Sequence, residues 1–63
     1  MSPHQYLIHL RVQRAQELLL GSDRSLAQIA EQCGFADVHH FSKTFKRVFG
    51  APPGAYRDNL RRR

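Results

Sequence analysis

Within the ten residues from Val38 to Arg47 the chain carries His39, His40, Ser42, Lys43, Lys46 and Arg47 and no carboxylate. Donors and cations gathered without an acid suit the holding of anions and hydrogen-bond acceptors. They do not suit catalysis, because the sequence offers no nucleophile beside a base, no paired carboxylates and no Gly-rich phosphate loop. A metal site fails on geometry. His39 and His40 are adjacent and point about 100° apart on a helix, His4 and His9 are five residues apart, and the lone Cys33 falls on a core position. A structural zinc site needs about four converging ligands. No cofactor is implied.

The overall charge agrees with that cationic run. The 63 residues include 10 Lys plus Arg against 5 Asp plus Glu, a formal net charge of +5, with a pI near 10.4. An anionic partner follows, nucleic acid first and an anionic membrane surface second. The membrane reading is weakened because there is no Trp and the aromatics are spaced for a core. A chain of this length forms at most one small domain. A single Cys excludes an internal disulfide, so packing must hold the chain and a reduced, cytoplasmic setting is the natural reading. The opening MSPHQYLIHL has no basic n-region and no unbroken apolar run, and reads as neither signal peptide nor membrane span.

The elements that must position the cations can be read from caps and periodicity. Ser2, Pro3 and Gln5 form a capping box with Pro at the first helical position. The stripe Leu7, Ile8, Val12, Ala15, Leu18 and Leu19 then predicts a helix over 3–20 that Gly21 ends. Gln5, His9, Gln13 and Gln16 are expected on its wet side. Arg11 falls inside the stripe by angle, and its head must find a carboxylate or a carbonyl. After the linker GSDR, Ser25 opens a second capping box with Gln28. Leu26, Ile29, Ala30 and Cys33 give the buried side of a short helix over 26–33. Gly34-Phe35-Ala36-Asp37 is the turn: Gly34 takes positive φ, Phe35 plugs the core and Asp37 caps the next helix. Over 38–49, Val38, Phe41, Phe45, Val48 and Phe49 cluster inward, while His39, Lys43 and Arg47 lie outward, flanked by His40 and Lys46. Gly50 stops this helix, and Pro52-Pro53 starts a last one over 53–61, with Tyr56 and Leu60 facing inward.

The result is an all-α small bundle of about four helices containing one helix-turn-helix, divided into 1–21, 25–50 and 51–63. A major groove admits one helix and displays base acceptors, donors and thymine methyls. His39, Ser42 and Lys43 are placed to read those edges, and Val38 either packs inward or touches a thymine methyl. His40, Lys46 and Arg47 are placed for phosphates, as are the backbone N–H groups of Ser25 and Leu26. The bland alternative is a solvated basic face. The aromatic backing and the preceding turn favour DNA. Arg57 reads as structural, and the Arg61 to Arg63 run as a frayed, solvated tail rather than a second phosphate clamp.

An internal echo adds to this. Laying MSPHQYLIHLR on APPGAYRDNLR fifty positions later aligns Pro3 with Pro53, Tyr6 with Tyr56, Leu10 with Leu60 and Arg11 with Arg61. The second copy follows the helix-turn-helix, which suggests that the first once followed another.

Taken together, Ile29-Ala30, Gly34-Phe35, Phe41, Phe45-Lys46, Gly50, Pro53 and Tyr56-Arg57, preceded by Tyr6, Arg11, Ala15 and Leu18-Leu19, resemble the C-terminal half of the DNA-binding domain of the AraC/XylS family of bacterial transcription regulators. The resemblance covers nearly the whole chain. It departs at Pro52, where the family often has Ser or Thr. It implies two helix-turn-helix units joined by a long helix, with Pro3 to Leu20 as the joiner and the first unit and any sensor domain outside this sequence. It also favours base contact at the start of the third helix, Val38 included. The implied partner is double-stranded DNA in the bacterial nucleoid, with RNA polymerase as a further partner if the chain is instead a protein-interaction module. A joining helix of about 27 Å against a B-DNA turn of about 34 Å could set two readers in successive major grooves.

Overall fold

The computed structural model describes residues 2–61. Met1, Arg62 and Arg63, and so most of the expected basic tail, lie outside the described residues. Four helices follow in order, α1 (Pro3–Gly21), α2 (Leu26–Gln32), α3 (Val38–Phe49) and α4 (Pro53–Arg61). Both capping boxes form. The Ser2 hydroxyl accepts the Gln5 N–H at 3.2 Å, and the Ser25 hydroxyl accepts the Gln28 N–H at 3.1 Å. Each Gln side chain returns the bond to the cap backbone. Asp37 accepts the His40 N–H at 2.8 Å and fixes the start of α3.

The core is Val12, Ala15 and Leu19 from α1, Ile29 and Ala30 from α2, Cys33 just after it, then Phe35, Phe41 and Phe45. Rings run without a break from the turn to α4. Phe35 meets Phe41 at 5.1 Å between centroids, Phe41 meets Phe45 at 5.8 Å, Phe45 meets Phe49 at 4.6 Å, and Tyr56 closes on Phe45 at 5.2 Å. Such pairs add about 0.5–1.5 kcal/mol each beyond the area they bury. They hold α3 against both its neighbours.

Several expectations are corrected. Gly21 does not stop α1; it is the last helical residue, and the stop comes from Ser22, whose N–H and hydroxyl both donate to the Leu18 carbonyl. Cys33 caps α2 rather than belonging to it. Leu7 is exposed, because at about 100° per residue it falls away from Val12, Ala15 and Leu19. Val48 is 42% exposed, on the flank of α3 toward α1 rather than in the core. Leu60 is also exposed, one turn past Tyr56 and beyond the end of the aromatic run. Gln16, expected to be wet, is half-buried and donates to the Tyr56 hydroxyl at 2.8 Å. His9 is half-buried too.

Arg11 behaves differently from expectation. No carboxylate or carbonyl takes its head among the described residues; the guanidinium lies against Gly34, with Nε 3.1 Å from where a Cβ would stand. Gly34 is thus favoured by its φ of +84°, and a Cβ there would press on the Arg11 side chain. Arg57 is structural, as expected, and its role is specific. Its Nε donates to the Leu19 carbonyl at 3.0 Å and its Nη1 to the Arg24 carbonyl at 2.7 Å. Arg61 is not a frayed tail residue. It donates to the Ser22 carbonyl at 2.7 Å and pairs with Asp23 at 3.0 Å. Together they satisfy acceptors at the C-terminal end of α1 that the helix itself leaves open.

Candidate nucleic-acid interface

Each outward side chain of α3 owes its direction to the ring run behind it. With Phe41 and Phe45 fully buried, the helix cannot rotate, and the opposite side carries His39, His40, Lys43, Lys46 and Arg47, all exposed. His39 and Lys43 stand one turn apart on the same stripe. The ion pairs among the described residues are Arg14 with Glu17 and Arg61 with Asp23, so the α3 cations have no acid partner there. Their charge is directed outward.

The expected base-reading set divides. His39 and Lys43 are exposed, whereas Ser42 and Val38 are half-buried, and Val38 packs against the core. Val38 therefore offers only part of its surface outward. Among the expected phosphate contacts, Lys46 and Arg47 lie on the last turn of α3. His40 leans edge-on toward Phe35 at 5.5 Å between centroids, and that contact limits its swing. At the start of α2 the Ser25 N–H is already donated to the Gln28 side chain at 2.9 Å, and a phosphate there would compete with Gln28.

Sequence reasoning took Arg57 as structural without showing what it holds, which is the loop ahead of α2. Arg57 reaches Arg24, the residue before Ser25, and so fixes where α2 begins relative to α4. Asp37 stands at the start of α3, and the His40 N–H holds its carboxyl below the usual carboxylate range. Burial pushes the Cys33 thiol up, with Arg14 opposing. No three His, Cys, Asp or Glu come together as a metal site among the described residues, and no helix is long and apolar enough to cross a membrane.

A short helix turned across a recognition helix, backed by a third and carrying unpaired cations outward, is the arrangement of helix-turn-helix DNA-binding proteins. A family model described as a helix-turn-helix domain matches residues 1–59. The chain belongs to the AraC/XylS family of helix-turn-helix transcription regulators. It is 38% identical over 60 residues to the MmsAB operon regulatory protein of Pseudomonas aeruginosa, covering 95% of this chain and 20% of that protein. It is 49% identical over 53 residues to the HTH-type transcriptional activator RhaS of Escherichia fergusonii, covering 84% of this chain and 19% of the activator. The chain thus spans about a fifth of the length of the curated relatives it matches. Among solved structures, the DNA-binding domain of the global transcriptional factor AdpA in complex with a target DNA superposes with a TM-score of 0.94 at 41% identity, over 97% of this chain and 55% of that one. A DNA-binding transcriptional dual regulator from Escherichia coli K-12 gives 0.93 at 30% identity, over all of this chain and 57% of that one.

Proposed function

We infer that this chain forms one half of the DNA-reading part of a bacterial transcription regulator, laying α3 in a major groove of double-stranded DNA. His39 and Lys43 read base edges, joined by Ser42 and the open side of Val38. Lys46, Arg47 and His40 hold phosphates, as do the Ser25 and Leu26 amides at the start of α2. The observation that carries this reading is the α3 face itself: exposed cations without acid partners, on a helix locked from behind by buried rings.

Residues 1–21 are read as the joining helix, 25–50 as the reading unit, and 51–63 as the closing helix and tail. Tyr6, Leu7 and Leu10 support this division, because they lie uncovered on α1, Tyr6 with 57% of its surface exposed. Tyr56, which echoes Tyr6, is packed against Phe45 and Phe49. An upstream helix-turn-helix in the parent chain would cover Tyr6 in the same way. The alternative, a module docking RNA polymerase through the outer Gln and His residues of α1, is less supported, since Gln16 is engaged by Tyr56.

Fluorescence anisotropy of a labelled duplex across a salt series tests the reading. With about four phosphate contacts, log K should fall against log salt with a slope near −3.6. A salt-independent affinity would overturn it.

A further inference from the structure

Every polar side chain on α3 can donate a hydrogen bond, and none is a carboxylate or an amide: residues 38–49 contain no Asp, Glu, Asn or Gln. The Thr44 hydroxyl is spent on the His40 carbonyl at 2.9 Å, and Ser42 is half-buried. The carboxylate just ahead of the helix, Asp37, is turned to the backbone, where it accepts the His40 N–H at 2.8 Å. What α3 holds out near its start is therefore the His39 ring, which carries an N–H in either protonation state, and the Lys43 ammonium, which has donors only. Among base edges in a major groove, guanine alone presents two acceptors side by side, N7 and O6. Adenine sets one acceptor beside a donor, cytosine offers a donor, and thymine sets a single acceptor beside a methyl group. We propose that α3 is a guanine reader, with His39 and Lys43 donating to the N7 and O6 atoms of two guanines. The inference rests on the reading above that α3 lies in a major groove.

Spacing calls for two bases rather than one. Four residues of helix rise about 6 Å and successive base pairs lie about 3.4 Å apart, so the two side chains meet guanines about two steps apart. The wrong bases are also rejected. Adenine or cytosine opposite Lys43 sets an amino group against the ammonium, which is then stripped of water without gaining an acceptor. Amide side chains, which read adenine, and carboxylates, which read cytosine, are the types missing from the helix. Lys46 and Arg47 are donors too, but they stand on the last turn of α3, past the N-terminal part of a recognition helix that contacts base edges. There they meet phosphates, which carry no sequence. The buried rings of Phe41 and Phe45 keep His39 and Lys43 on the outward side together.

Selection from randomised duplexes with the full chain, followed by fluorescence anisotropy on the enriched duplex, tests the assignment. Two guanines about two steps apart are expected in the enriched window. Replacing either by 7-deazaguanine, which lacks the N7 acceptor, should weaken binding about tenfold. Inosine, which keeps N7 and O6 and loses only the minor-groove amino group, should bind as guanine does. Lys43→Gln, at an exposed position where folding is not at stake, should move the preference at one of the two places from guanine to adenine, because an amide pairs with N7 and the N6 amino group together. An enriched window without guanine, no enrichment of any base, indifference to 7-deazaguanine, a loss on inosine substitution, or a Lys43→Gln chain that still selects guanine at both places would each overturn the guanine reader. The salt series judges the DNA reading apart from it. Salt-dependent binding with any of those outcomes removes the guanine reader and leaves the duplex as partner, whereas a salt-independent affinity removes both.

Discussion

Asp37 links the turn to α3 through a single carboxylate. Its oxygen accepts the His40 N–H, and that bond lowers its pKa in the folded chain. A carboxyl with a depressed folded pKa contributes stability above its unfolded value and loses it as the pH falls through the folded one. Acid should therefore weaken the start of α3. Asp37→Asn keeps a good cap without a titrating group, so its thermal midpoint, measured from neutral pH down into the carboxylate range, should fall less than that of the parent chain. The same helix offers a second comparison. Lys43→Ala should relax sequence preference at one or two base pairs in selection from randomised duplexes, while Lys46→Ala should weaken all sequences alike. Identical effects would argue against the division of roles.

At the scale of elements, the helices were legible wherever a local signal sets them. Ser2 with Gln5, Ser25 with Gln28, Asp37, Gly34 and Gly50 each act within a few residues, and the starts of α1, α2 and α3 and the stop of α3 follow from them. What was not legible depends on the neighbouring helix. Val48 has helical spacing with Phe41 and Phe45 but lies on the exposed flank toward α1; Leu60 has the right phase but no partner beyond Tyr56; Gln16 looks polar until Tyr56 arrives from 40 residues away. The outward face of α3 was readable as chemistry because charge and periodicity coincide there. The clasp formed by Arg57 and Arg61 was not, since two of the three carbonyls it takes lie in the loop between α1 and α2. Arg57→Ala should cost about 2 kcal/mol, the scale of charge-assisted hydrogen bonds lost at a partly exposed site, measured by urea unfolding. Arg57→Lys should recover less than half, because an ammonium cannot span acceptors as the planar fork does.

As a whole, the molecule is elongated, about 36 × 21 × 19 Å, because the first turns of α1 extend past the core, which begins at Val12. That shape leaves Tyr6, Leu7 and Leu10 of α1 uncovered. It also means that a small number of buried side chains carry the fold. Chains of this size keep only a thin margin of stability, and the core opens as one unit when it opens at all.

The lone thiol at the end of α2 turns that fact to use. Cys33 is buried and is the single Cys of the chain, and burial holds it protonated more firmly than a free thiol. Modification by a disulfide reagent should therefore proceed only through opening of the core, so its rate counts openings in the unmutated protein. If duplex DNA binds the closed form alone, adding it should slow labelling in proportion to occupancy, giving an affinity without a fluorophore on either partner. A labelling rate indifferent to saturating DNA would show that the duplex is held by a form already open around α2.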